Sequence, residues 1–567
     1  MYSFAARSFP TKALVKAFLR GRIKSAASVM VAAALAIGLL PSQSAQAFCG
    51  FFAGKADASL FNEASKVIMA RDGNRTVLSL LNDYKGPLNE FALIIPTPVA
   101  LKQGQVRIAE KLSFDRLDAY SSPRLAEYFD NDPCTFNFQW GEEFERRSAY
   151  ATAPAPSATA PRAMADRAKA LGVTVEAKYT LEEYDIVSLS AKQSGGLEIW
   201  LRENGYKIPK GASAAFKPYI NQGMKFFVAK VNLKAQEKTG YTYLRPLQFA
   251  FESEKFMLPI RLGMINAAPD KAQDLIIYML TRNGRVESSN YRTVKLPANL
   301  NLPPFIKPKF ADFYKAMFEN AAVKEDYRVV FTEYFWDMSW CDPCAANPLS
   351  PQELRNAGVF WVNGNADEGF AQMLGSQSNL DSPRQSNTSQ STAAQGKAPQ
   401  SVPAPTPIMP RPMPGGGDAR PAMMTRMHVR YTPTSFPEDL MFTQTQDRQN
   451  WQTRYVVQNP YGGSPEQCTS KLAGNSCETY CSRRVQSLVG EHSNWQTASG
   501  PFKGRNREAL VSECMVACAS SKRLTSERVQ RYYSAELPDR LDKEKQTLSR
   551  LTGWGLAEID KMPGAVR

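Results

Sequence analysis

No aromatic side chain occurs from Ala371 to Arg430, and eight prolines together with Gly415-Gly416-Gly417 crowd the span from Pro399 to Pro421. Such a stretch cannot bury enough apolar surface to offset its ordering entropy. Residues 371–425 therefore read as a disordered Pro/Gly/Ser/Gln-rich linker with a partly extended, proline-rich half. A proline-rich ligand for a recognition domain is the minor alternative. Beyond the linker, Met427–Tyr431 (MHVRY) and Trp451–Val457 (WQTRYVV) read as strands. Two short strands alone are marginally stable in water, so residues 426–457 are expected to rejoin a main domain begun in residues 48–370. Residues 458–567 form a Cys-rich helical C-terminal region.

The N-terminus sets the compartment. Arg7, Lys12, Lys16, Arg20, Arg22 and Lys24 precede a fifteen-residue apolar run from Ala26 to Leu40, and small residues follow. This is the order of a signal peptide, residues 1–47, with cleavage between Ala47 and Phe48. The run is shorter than the roughly 20 residues of a spanning helix, so an uncleaved anchor is the lesser reading. The expectation is an exported protein, periplasmic or extracellular, with no integral membrane span after signal removal. Removal of residues 1–47 takes away six basic side chains and no acidic one, so a formal charge of +15 becomes +9. The remaining basic residues are scattered singly or in pairs such as Arg146-Arg147 and Arg483-Arg484, without the long run of a nucleic-acid arm.

All nine cysteines lie after the signal, where an oxidising space favours disulfides. Cys477 and Cys481 are four apart, as are Cys514 and Cys518, so each pair shares one helix face. Two antiparallel helices stapled by Cys477–Cys518 and Cys481–Cys514 follow from that spacing, with metal binding by the four thiolates as the alternative. Cys49 and Cys134 bound the first structural block and are expected to bridge it. Cys468 is left as the odd residue.

Trp340-Cys341-Asp342-Pro343-Cys344 can be read as a redox site or as a structural clasp. The preceding Tyr327–Phe335 suits the strand before a thioredoxin-type motif, with Cys341 as attacking and Cys344 as resolving thiol. However, Pro348 and Pro351 forbid a long helix starting at Cys341, and Asp342 would raise the thiol pKa. An inert disulfide turn is the favoured reading. His428 and His492 are the only histidines and read as ordinary surface or loop residues, which leaves little for histidine-based metal or triad chemistry. No phosphate loop, dinucleotide fingerprint or EF-hand loop occurs, and no cofactor is called for. A carboxylate pair has no signature to test.

Hairpin signals are frequent. Lys66–Arg71 and Thr76–Leu81 flank an Asp72-Gly73-Asn74 turn, and strands are expected at Phe91–Pro96, Tyr184–Leu189, Phe226–Val231, Leu247–Glu252, Phe256–Leu262 and Leu275–Thr281. Helices are expected at Leu197–Asn204, at Ser121–Cys134 entering a turn, and at Ser526–Trp554 with an interruption at Pro538. Ala149–Ala163 reads as a surface excursion. The fold class is α+β, mainly antiparallel sheets and hairpins with short helices, a disordered insertion and a disulfide-stapled helical C-terminal region.

Several of these segments, namely Phe48-Cys49-Gly50-Phe51-Phe52 with Lys55-Ala56-Asp57-Ala58, Ser122-Pro123-Arg124-Leu125, Asp132-Pro133-Cys134, Gln222-Gly223-Met224-Lys225-Phe226-Phe227 and Cys341-Asp342-Pro343-Cys344, together resemble the bacterial family catalogued as domain of unknown function 2330. The resemblance takes in His428-Val429-Arg430-Tyr431, Phe436-Pro437-Glu438-Asp439-Leu440 and Leu551-Thr552-Gly553-Trp554. It implies an exported protein and carries over no catalytic residue. The leading functional reading is a non-enzymatic binding or scaffold protein of the cell envelope, its partner an unknown envelope protein or polymer. The alternative is a thiol-disulfide oxidoreductase using Cys341 and Cys344.

Overall fold

Alternation of apolar and polar residues builds two stacked sheets in the computed structural model of the chain. It describes residues 51–54, 61–85, 91–138, 173–265, 272–339, 347–375, 422–489 and 506–565, with short breaks at 137, 205, 207, 209–211, 233, 237–243, 363–364 and 433. All of these belong to one unit, Gln46–Arg567; Met1–Ala45 forms another and lies outside the described residues. The expected cleavage point Ala47/Phe48, the excursion at Ala149–Ala163 and most of the expected linker, residues 376–421, also lie outside them.

The larger sheet has nine strands. Its order runs Arg292–Lys295, Val329–Asp337, Met423–Tyr431, Gln273–Thr281, Phe61–Asp72, Arg75–Lys85, Leu247–Glu252 and Val106–Ile108, and Trp451–Gln452 pairs with Val329–Asp337 off this path. Pairings are antiparallel except for two: Arg292–Lys295 with Val329–Asp337, and Gln273–Thr281 with Phe61–Asp72. The hairpin between Phe61–Asp72 and Arg75–Lys85 turns at Gly73, whose φ of +58° favours a residue without a Cβ. A five-stranded antiparallel sheet, ordered Phe51–Gly54, Phe91–Thr97, Lys225–Val231, Tyr184–Ala191 and Val173–Leu181, lies over one face.

Period-two alternation decides which residues meet. Val67, Met69, Leu275, Ile277, Met427 and Val429 point toward Leu93, Ile95, Phe227 and Ala229 of the smaller sheet and form the main core. The intervening residues Ala92, Ile94, Phe226 and Val228 face helices Ser194–Glu203 and Ala212–Asn221. On the far face of the large sheet lie helices Lys111–Ser121 and Phe310–Lys324. The layers therefore run helix, sheet, sheet, helix, an α+β architecture.

Two segments depart from their expected form. Ser121–Cys134, expected to be helical, is a helix end followed by strand Arg124–Phe129, which pairs in parallel with Arg454–Asn459. Pro123 explains the change, because the residue before a proline is excluded from helical geometry. Phe256–Leu262, expected to be one strand, is a strand only at Met257–Leu258 before helix Arg261–Ile265. Asp439 turns the chain there by accepting from the Ile260 and Arg261 amides at 2.9 and 3.2 Å. The C-terminal helix Arg507–Arg531 continues through a π-turn at Tyr532–Glu536 into Leu537–Thr552, whose first turn accommodates Pro538.

Candidate functional site

Met423–Tyr431 carries the densest polar chemistry of the sheet. Its odd-numbered residues face the apolar core, so Arg426, His428 and Arg430 share the opposite face. Lys66, Asp274 and Tyr278 on the neighbouring strands stand on that face too. The partner strand Val329–Asp337 has a register shift between Thr332 and Tyr334. This bulge adds Glu333 beside Tyr334 opposite Arg426 and directs its carboxylate to the polar side.

The side chains form a continuous chain of ion pairs. Glu333 accepts from Arg426 Nε at 2.5 Å, from His428 Nδ1 at 2.6 Å and from the Tyr314 hydroxyl. His428 Nε2 lies 3.1 Å from Asp274, which also receives Arg430 at 2.7 and 2.6 Å. Arg430 reaches Glu319 at 2.5 Å. At the other end Asp118 accepts from Arg426 at 2.5 Å, Lys66 at 2.7 Å and Tyr278 at 2.9 Å. Asp118 and Glu319 belong to the covering helices, so the network ties both to the sheet.

Burial alone would raise the Glu333 carboxyl, but the His428 and Arg426 charges bring it down to about 2. Asp274 is likewise favoured neutral by burial and held at about 2 by His428 and Arg430. Burial pushes the His428 imidazolium down, yet Glu333 and Asp274 more than reverse this and raise it. The expectation of a surface histidine is thus corrected: His428 is 7 % exposed, inside a strand, with the Phe318 ring stacked 3.8 Å away. Both ring nitrogens face carboxylates, so Glu333 and Asp274 hold the ring from either side and favour its charged form. The cluster is a clamp. His492 lies outside the described residues.

The cysteines build a second region. Cys477 meets Cys518 and Cys481 meets Cys514, each with an S–S distance of 2.04 Å, joining helix Cys477–Val489 to Arg507–Arg531. The expected Cys49–Cys134 bridge is overturned, because Cys134 is bonded to Cys468, which is therefore not the odd residue. Local geometry explains the choice: the Asp132 carboxylate fixes the Cys134 amide at 2.8 Å, and Arg528 donates to the Pro133 and Thr135 carbonyls. Those contacts hold the Asp132–Thr135 turn against the C-terminal helices. Cys49, Cys341 and Cys344 lie outside the described residues.

Beside Phe136, Phe138 and helix Cys477–Val489 runs a cleft of about 580 Å³ among the described residues. Phe136, Phe138 and Tyr480 line it together with Arg483 and Arg484, and the Cys477–Cys518 bridge borders it at Cys518. Sequence reading noted the arginine pair only as scattered surface charge. The aromatic wall was not legible, because its approach to the helix depends on the Cys134–Cys468 bridge.

The family described as "Uncharacterized protein conserved in bacteria (DUF2330)" matches residues 43–443. The match stops before the stapled helices, so the resemblance read at Leu551–Trp554 falls beyond it. No curated protein and no solved structure matches the chain.

Proposed function

The chain belongs to this family of uncharacterized bacterial proteins, and from that premise we propose that it is an exported, non-enzymatic binding or scaffold protein of the cell envelope. The observation carrying the reading is the set of three cysteine pairs at bonding distance, all within or reaching the C-terminal region. Such staples persist in oxidising compartments and are reduced in the cytosol. They hold rigid a cleft-bearing surface, while the charged cluster in the sheet is turned inward upon itself. Among the described residues no helix is long and apolar enough to cross a membrane. The partner is an envelope protein or polymer, with nucleic acid disfavoured by the scattered basic residues. N-terminal sequencing of the envelope fraction should find Phe48 first, and the purified mature protein should be retained by an envelope fraction. An intact Met1 on a cytoplasmic protein would overturn the export half.

The second reading, a thiol-disulfide oxidoreductase, draws on the place of Cys341 and Cys344 shortly after strand Val329–Asp337. Against it stand Pro348 and Pro351, the latter at the first position of helix Pro351–Asn356, which bar a long helix from starting at Cys341. Insulin reduction that disappears in Cys341→Ser would establish the redox reading instead.

A further inference from the structure

One carboxylate gathers three elements of the C-terminal half onto each other. Asp130 follows strand Arg124–Phe129, and its amide donates to the Asn459 carbonyl at 2.9 Å. Its oxygens accept from Gln458 at 2.9 Å, from the Tyr532 hydroxyl at 2.5 Å and from Arg540 Nη1 and Nη2 at 2.7 and 2.8 Å. The strand end, the π-turn Tyr532–Glu536 and helix Leu537–Thr552 therefore meet on a single residue. A π-turn is a rare interruption of an α-helix and recurs at functional positions.

One turn beyond Arg540, on the same face of the helix, stands Glu544. It is 2 % exposed, and neither of its oxygens has a hydrogen-bond partner among the described residues. Arg540 Nε lacks one as well, and it lies 3.6 Å from Glu544 Oε1, beyond hydrogen-bond reach. A guanidinium is a rigid fork, so with Nη1 and Nη2 bonded to Asp130 the Nε group closes on Glu544 only if the fork turns. The two carboxylates thus compete for one cation. Other charges on the elements packed there are engaged elsewhere: Lys545 with Asp560 at 2.8 Å, Lys543 with Asp539 at 2.6 Å, Glu536 with Arg531 at 3.0 Å, and Lys324 with the Arg550 carbonyl at 3.4 Å. Strand Leu300–Leu302, against the same helix, carries no titratable side chain. A neutral acid is far less costly to bury than a carboxylate. Burial accordingly raises the Glu544 carboxyl to about 7, with Arg540 opposing the rise and Asp130 adding to it.

We propose that Arg540 is a proton-controlled latch: while Glu544 is protonated the guanidinium stays on Asp130 and fastens the π-turn, and ionisation of Glu544 draws it off and loosens the segment from Tyr532 to Glu544. The folded value of Glu544 lies above its unfolded value of 4.5, so the proton favours the latched form and opening becomes easier as pH rises through about 7. Hydrogen exchange of the oxidised full-length chain, corrected for the intrinsic exchange rate at each pH, tests this. Protection of the amides from Tyr532 to Glu544 is expected to fall about tenfold between about pH 6 and about pH 8, and to stay level in Glu544→Gln, which keeps the shape of the side chain and cannot ionise. In Asp130→Asn the segment is expected to be less protected at both pH values. The Glu544 carboxyl of that variant, followed by carbon-13 NMR, is expected to titrate lower by about one pH unit or more, because Arg540 no longer has a rival carboxylate to hold it. Level protection in the wild type, a fall that persists in Glu544→Gln, or a Glu544 titration unmoved by Asp130→Asn overturns the proposal.

Discussion

Glu333 is the residue on which the buried charges most depend, because among the described residues it alone answers both Arg426 and His428. Removing one partner from a buried ion pair leaves an uncompensated charge, which costs about 3–5 kcal/mol. Glu333→Ala is expected to lose that much in urea unfolding. The loss should depend on pH. The folded value of His428 is raised, so its contribution is full below an unfolded value of about 6.5 and is lost as pH rises through the folded value. Glu333 and Asp274 are depressed, so theirs is present above about pH 4 and lost as pH falls toward 2. The difference between wild type and Glu333→Ala should therefore be greatest at about pH 5–6.5. Glu544 behaves oppositely to those carboxylates: it is 2 % exposed, neither oxygen has a hydrogen-bond partner among the described residues, and burial raises it to about 7 despite Arg540 nearby. Its share of stability should fall as pH rises from about 4.5 to 7. Glu544→Gln should flatten that decline and gain about 1–2 kcal/mol at pH 8, after a discount for solvent screening. A lower stability of the variant at pH 8 would refute the assignment. Sequence alone hides this cluster because a strand bearing Arg426, His428 and Arg430 on one face looks solvated. Only the helices laid across that face, and the bulge that adds Glu333, convert it to a buried network.

At the scale of elements, the spacing of Cys477, Cys481, Cys514 and Cys518 makes their pairing legible, because residues four apart on two helices can be aligned without knowledge of the rest of the fold. Cys134–Cys468 is not legible in this way. Its partners are 334 residues apart, and nothing local links them. Non-reducing peptide maps are expected to yield Cys134–Cys468, Cys477–Cys518 and Cys481–Cys514. A Cys49–Cys134 peptide would contradict the structure. Replacing Cys477 and Cys518 together by serine opens a 41-residue separation, for which chain entropy gives a loss of about 4 kcal/mol or less. The loss should be confined to the thermal transition of the C-terminal helices. Hairpins were legible for the same reason as the helical staple, as at Asp72-Gly73-Asn74, where turn chemistry and alternation sit together. The strand at Arg124–Phe129 was missed because its partner Arg454–Asn459 is distant and parallel.

For the whole molecule, strand order was beyond sequence reading, since the pairing of Gln273–Thr281 with Phe61–Asp72 requires a long parallel connection that no turn signal marks. The consequence of that order can be tested at the insertion. Met423–Tyr431 lies between Val329–Asp337 and Gln273–Thr281, hydrogen-bonded on both sides. Leu440–Gln444 bridges Met257–Leu258 and Val286–Ser288, and Arg454–Asn459 sits between Leu300–Leu302 and Arg124–Phe129. Chain on the two sides of residues 376–421 therefore shares three sheets. A long loop adds little to the closure entropy, about 0.6 kcal/mol for each doubling of its length, so joining these strands across an insertion is thermodynamically tolerable. Limited proteolysis within 376–421 is expected to give two fragments that co-elute on a sizing column under native conditions. Because Cys134–Cys468 would also hold them, the measurement belongs in a Cys134→Ser/Cys468→Ser variant or under reduction. Co-elution there reports the sheet itself, since removing a strand bonded on both sides would expose the apolar faces of Met427, Val429 and Tyr431 along with two unpaired strand edges. Separation of the fragments without denaturant would mean that the segment after the insertion folds apart from the sheet.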